Sequence, residues 1–430
     1  MTLLIILFIF VCELTMTTSQ AQAIDRDLAR QYFTEMNEIA EQDAGSLWGH
    51  SLVGPIIFIN PMTREIVASQ ADGVGQLVQA GDVYVGKLPK NVNVAYTAMD
   101  WAGVRWTMLM WPFFDDPVMR RTTMVHESYH RIQPQVGLPM LDPVSDHLAE
   151  TEARIWLQME WRALSVALAM DGSARQTAVA DALTFRVFRR SLYPGAAEKE
   201  RVLEMNEGVA EYTGVRLGGG ESPSDLAREK LKEAEGQDTY VRNFAYTSGA
   251  AYGLLLDDSD DTWRTSIGPD DDLGLLLAKA TGVDLPADLE AQSKRRALSY
   301  DGKVLREAEE ELGRAREERM RAYRERLVDG PVLRIEPKGK RSFSMSPQNM
   351  QSMGDLGTVY PTLRVASNWG ILEVDGGALM NAARSLIRVE APTKTEGDPI
   401  VGPGWTLELK AGWALRPGER EGDWALVEVH

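Results

Sequence analysis

His126 and His130 flank a glutamate in Val125-His126-Glu127-Ser128-Tyr129-His130, an HExxH pattern. On an α-helix, residues four apart leave the same face one turn apart, because each residue turns by ~100°. Two imidazoles placed in this way can hold one zinc ion, whose bonds to histidine nitrogen are ~2.0–2.1 Å long. Glu127 is rotated by ~100° from His126, too far to be a third ligand but able to reach a water on the metal. Its chemistry there is that of a general base, taking the proton of the water and passing it to the leaving group. The chain has only five histidines, so an accidental HExxH is rare, and a surface helix with two solvated histidines is the weaker reading.

A hydrolytic zinc site needs a third protein ligand and one open position. Residues 203–212, Leu-Glu-Met-Asn-Glu-Gly-Val-Ala-Glu-Tyr, supply Glu207, which on a helical wheel shares its face with Leu203, Ala210 and Gly214. A carboxylate on an apolar face is costly unless a cation meets it. Zinc is one such cation, and a nearby arginine is the alternative. Glu211, one turn on, is placed to accept from a ligating histidine. Glu150 competes with Glu207 for the third position. For the oxyanion of a tetrahedral intermediate, Tyr246 and Tyr252, set among small residues in 243–253, are the candidate donors, with Tyr246 preferred. Buried tyrosines are more often plain core. His147, at a helix start, reads as a second donor or, by preference, a capped surface histidine.

These groups need a scaffold. Residues 54–112 read as β structure, with runs at 55–59, 65–69, 82–88, 92–97 and 104–110 separated by turn residues, which implies a mostly antiparallel sheet. Residues 104–110 are expected to form an edge strand able to pair with an extended substrate. Asp116-Pro117 then opens a helix that Pro134 is expected to stop. Further helices are expected near 145–171, 174–192 and 196–216, and on to 298. Residues 303–330 read as a highly charged helical stretch, a solvated connector or a brace. After Gly330-Pro331 the pattern is β again, and its tryptophans (Trp369, Trp405, Trp413 and Trp424) read as core. The expected fold is α+β: a β-rich lobe (24–115), a helical zinc-binding lobe (116–302), the connector, and a β domain (331–430).

The net charge of -17 argues against nucleic acid and anionic membrane as partners, since both require basic patches. Residues 3–11 form an apolar run too short to span a bilayer but suited to a signal peptide, and Ala21-Gln22-Ala23 is a small-x-small cleavage site, although no Lys or Arg precedes Arg26. The expectation is cleavage after residue 23, export to the periplasm or beyond, and no stable membrane insertion afterwards. Cys12, the only cysteine, would be lost, leaving no thiol for catalysis, metal binding or disulfides.

HExxH followed by Asn206-Glu207-Gly208-Val209-Ala210-Glu211 resembles the gluzincin zinc peptidases and the zinc aminopeptidase signature, in which the glutamate of Asn-Glu-Gly binds the metal. The resemblance covers 104–212. It implies a zincin-like unit, a Zn2+ cofactor, Glu127 as base, Glu207 as ligand, a downstream tyrosine as oxyanion donor, and a peptide or other amide as substrate. Glu150 lies at nearly the interval by which thermolysin-like enzymes supply their third ligand. The chain departs from the aminopeptidases in its much longer gap from His130 to Glu207. Their Gly-x-Met-Glu-Asn segment also has no match, 105–110 standing in its place. The chain is also similar to a family of exported bacterial proteins of unassigned activity. Beside a metallopeptidase, two readings stay open: an amidase acting on a non-protein amide, and a non-catalytic cell-envelope binding protein stabilised by zinc.

Overall fold

The computed structural model describes residues 23–337, 339, 341–346 and 349–429. The apolar run, Cys12 and most of the cleavage site lie outside the described residues. Asp25 caps the first helix, α1 (Arg26–Asp43), by accepting from the N–H groups of Asp27 and Leu28. Ala29, Phe33, Met36 and Ala40 recur at helical spacing along it and are buried. The lobe expected to be β-rich from residue 24 therefore begins with a helix.

A six-stranded sheet follows, built from β1 (Ile56–Ile59), β2 (Glu65–Ala68), β3 (Val78–Ala80), β4 (Val83–Lys87), β5 (Thr97–Trp101) and β6 (Val104–Met110). Its order is β3-β4-β2-β1-β6-β5, and β1 and β6 run parallel while the other neighbours are antiparallel. Two expectations fail here. Residues 92–96 form no strand, the strand beginning at Thr97. And β6 is not an edge, because β1 takes one side of it and β5 the other.

The helical part comprises α2 (Pro117–Val136), α3 (Thr151–Ala169), α4 (Gly172–Ser191), α5 (Ala196–Leu203), α6 (Val209–Gly218), α7 (Pro223–Ala234) and α8 (Asn243–Asp257), with shorter helices up to residue 300. Pro134 does not stop α2, which runs on to Val136. A proline inside a helix deprives the carbonyl four residues back of its donor. Arg105 of β6 reaches over to the freed carbonyl of His130 (3.5 Å) and to that of Arg131 beside it (3.1 Å), so the stranded acceptor is met from the sheet. The helix expected over 196–216 is broken by one π-helical turn, Glu204–Gly208.

Of the two readings of the charged helix Gly302–Arg324, connector or brace, the structure favours the brace. Its Glu309 and Arg316 are buried, and Arg154 of α3 donates to Glu309 at 3.0 Å. Beyond it the chain is β-rich, in a seven-stranded and a five-stranded sheet. Trp369 and Trp405 are buried in its core, and Trp413 and Trp424 pack against that core. Strand Ser342–Met345 is one edge of the five-stranded sheet. No helix among the described residues is long and apolar enough to cross a membrane.

Candidate metal centre

Asp116 caps α2 by accepting from Met119 N–H at 2.8 Å, with Pro117 in the first turn, where its missing donor costs nothing. The helix buries the face carrying Val125, His126, Tyr129 and His130. It crosses α6 so closely that a Cβ on Gly214 would lie 2.7 Å from the carbonyl oxygen of Thr122. Only glycine permits that approach, and it brings the carboxylates of the 207–211 segment onto the histidines. Glu207 sits inside the π turn between α5 and α6, a geometry often found at functional sites. In the same turn Glu204 is buried and held by Arg186 and Arg190 of α4.

Three ligand atoms converge. His130 Nε2 lies 3.1 Å from His126 Nε2 and 3.2 Å from Glu207 Oε2, and His126 Nε2 lies 3.4 Å from the same oxygen. Atoms bound at ~2.0–2.1 Å to one tetrahedral ion stand about 3.3 Å apart, so this triangle fits one face of a zinc site. The remaining ring nitrogens are engaged: His126 Nδ1 lies 2.8 Å from Glu211 Oε2, and His130 Nδ1 lies 2.7 Å from Gln133 Oε1. Acceptors there fix the proton on Nδ1 and turn both Nε2 lone pairs towards the shared point. His126, His130 and Glu207 form a buried group suited to hold a metal ion.

The electrostatics agree. Burial on its own would depress the basicity of His126, but the hydrogen bonds to Glu207 and Glu211 outweigh it and raise the pKa to about 10. Glu207 is held below the usual carboxylate range by His130 and His126, against burial, which would raise it. Glu211 is lowered to about 2, again against burial, by Lys230 and His126. The pocket thus draws positive charge towards the point between the two Nε2 atoms. Lys230 meets Glu211 Oε1 at 2.8 Å, and Arg242 meets Glu207 Oε1 at 2.6 Å.

Glu127 is buried, and its Oε2 has no hydrogen-bond partner. Burial raises its pKa, opposed by His126 and His130. It lines a cleft of about 950 Å³ together with His130, Glu207, Arg242 and Tyr246. The Tyr246 ring stacks on His126 with centroids 5.6 Å apart and planes 8° apart, and its hydroxyl accepts from Arg242 at 3.1 Å. Tyr252 lies elsewhere, donating to Glu160 at 2.8 Å in the core. Glu150 is exposed at the start of α3 and takes no part in the group. His147, favoured as a surface residue, is half-buried and meets Glu200 at 2.6 Å.

Three members escaped the sequence reading. Gln133 had a visible signal, standing three residues beyond His130 on the same helical face. Arg242 lies one turn before Tyr246 and was open to the same argument. Lys230 reaches Glu211 only through the packing of α7 and left no local trace. The chain matches no family model, no curated protein and no solved structure.

Proposed function

We propose that this chain is a zinc-dependent hydrolase of the gluzincin kind, acting on peptide bonds, with a zincin-like unit formed by the β1–β6 sheet and helices α2 to α8. The observation that carries the reading is the triangle of His126 Nε2, His130 Nε2 and Glu207 Oε2 beside the unpartnered carboxylate oxygen of Glu127. Zinc fits this donor set of two imidazoles and one carboxylate better than a hard cation, which prefers oxygen alone.

Bound zinc would supply Lewis acidity towards a carbonyl oxygen and lower the pKa of water in the site. The remaining work belongs to the chain. Glu127 accepts a proton from the attacking water as its oxygen bonds to the amide carbon, then delivers that proton to the departing nitrogen as the carbon–nitrogen bond breaks. Tyr246 is placed beside His126 to donate its hydroxyl proton towards the developing oxyanion. Arg242 holds Tyr246 and Glu207 from the same guanidinium nitrogen and so fixes the donor against the ligand. Glu211 and Gln133 orient the two imidazoles. Export from the cytoplasm, through cleavage after residue 23, is part of this proposal.

The test is a peptide-library cleavage assay on the zinc-loaded protein beside Glu127→Gln, which preserves size and removes the base. Cleavage by the wild type that drops by about 10²–10⁴-fold in the variant, at equal metal content, is the expected result. Equal cleavage by both proteins would remove Glu127 from the mechanism.

A further inference from the structure

The cleft over the metal group has two kinds of wall. One is the catalytic side just described, and the other is the C-terminal β-rich part, whose strand Ser342–Met345 and residues Arg341 and Arg384 line the same cavity. This part spans the cleft. On the strand lobe, Ser344 Oγ donates to the Val94 carbonyl at 3.1 Å, and Arg364 donates to the Lys90 carbonyl at 2.8 Å. On the helical side, Ser352 Oγ donates to Asp146 at 2.8 Å, and Arg384 to Asp142 at 3.3 Å.

The charges on this roof are unevenly used. Arg364 is consumed as a strut, bonded to Glu373, Asn93 and Lys90. Arg384 donates one nitrogen to Asp142, and Arg341 makes one long bond, 3.4 Å, to the Gly339 carbonyl. Both guanidiniums keep donors to spare, since each carries five N–H groups. Asp142 also pairs with Arg242, so an unbroken series of ion pairs runs Glu207–Arg242–Asp142–Arg384. Arg384 therefore stands within a few residues of the reacting bond for an extended chain rising about 3.3 Å per residue. Its backbone takes a left-handed conformation (φ 50°), unusual for a residue with a side chain. In a chain of net charge -17, cationic donors turned into one cleft mark a site for an anion.

We infer that the β-rich roof is the specificity wall of this cleft, and that Arg384 and Arg341 bind a carboxylate on the substrate peptide, carried by an acidic side chain or by the chain terminus. The inference rests on the hydrolase reading for its substrate, but its test does not need turnover.

Three dansyl-labelled peptides of one length serve as probes: neutral and amidated, neutral with a free terminal carboxylate, and amidated with one glutamate. Binding to the full-length, zinc-loaded Glu127→Gln protein is read by anisotropy. One carboxylate peptide binds at least about tenfold tighter than the neutral amide, and the arm that does so names the source of the anion. Arg384→Ala combined with Arg341→Ala abolishes the difference, while zinc content and circular dichroism stay unchanged. Equal binding of all three, binding of none, or a preference that survives in the double variant overturns the inference. Wild-type cleavage of the same peptides separates the two claims: cleavage without carboxylate preference sinks this inference alone, and carboxylate-selective binding without cleavage sinks the hydrolase alone.

Discussion

Gly249 of α8 rests against Gly208 backbone to backbone, with no room between them for a Cβ on Gly249. Gly208 closes the π turn that holds Glu207, while α8 carries Arg242 at its N-terminal boundary and Tyr246 one turn on. This single crossing thus sets Glu207, the proposed third ligand, against Tyr246, the proposed oxyanion donor. Gly249→Ala forces the two segments apart and is expected to cost about 1–3 kcal/mol of stability through overpacking. It should also weaken zinc binding, because Glu207 moves while the histidines of α2 do not. Thermal unfolding with and without zinc reads both effects, and an unchanged zinc-dependent shift would show that the crossing does not position the ligand.

Tyr246→Phe keeps the ring on His126 and removes only the hydroxyl. The expected loss is about 10²-fold in kcat with little change in KM or zinc content, as for removal of one oxyanion donor. A rise in KM instead, with kcat intact, would make Tyr246 a binding residue.

Behind the π turn lies a buried ionic cluster in which Arg186, Arg189 and Arg190 meet Glu160, Glu200, Glu204 and Asp272. Burial would raise the pKa of Glu200, but Arg189 and Arg190 hold it well below the usual carboxylate range; Arg186 and Arg190 do the same for Asp272. Glu204 moves the other way, raised by burial. A carboxylate whose folded pKa is depressed contributes stability that is complete above its unfolded pKa of about 4 and is lost as pH falls towards the folded value. The contribution of Glu200 and Asp272 to the urea midpoint should therefore decline as pH falls below about 5. Arg189→Ala leaves Glu160 and Glu200 short of a partner and should cost about 3–5 kcal/mol at pH 7. Its stability should also fall less steeply in acid, since a less depressed carboxylate has less to lose; an equal acid slope in both proteins would contradict this assignment.

What the sequence revealed follows the range of the interactions. His126, Glu127 and His130 are legible because one helical turn is enough to bring the imidazoles together. Glu207 is legible because its apolar neighbours betray a buried carboxylate, although His130 lies 77 positions away in the chain. The helix over residues 26–43 carries its signals in the sequence, Asp25 as cap and Ala29, Phe33, Met36 and Ala40 in period. Other features had no local trace. Strand β6 takes a parallel partner from a distant segment, so its interior place could not be read from its own residues. Pro134 leaves α2 running on to Val136, and Arg105, from another element, covers the one carbonyl it strands, that of His130. The closure of the cleft by Ser342–Met345 and Arg384 belongs to the same class, since it depends on how distant parts of the chain pack.

Chelation supplies a further expectation. If folding and metal binding are linked, zinc at a hundred times its Kd adds about 2.7 kcal/mol to the folded state, and a chelator removes it. The melting temperature should rise with zinc and fall again with chelator in the wild type, and should barely respond in His126→Ala.

The central claim is tested most directly by titrating Zn2+ into metal-stripped protein, wild type beside Glu207→Gln. One zinc per chain in the wild type, with affinity at least about a hundredfold weaker in the variant, is the predicted result. A wild type that takes up no zinc, or a variant that binds it equally well, would contradict the account.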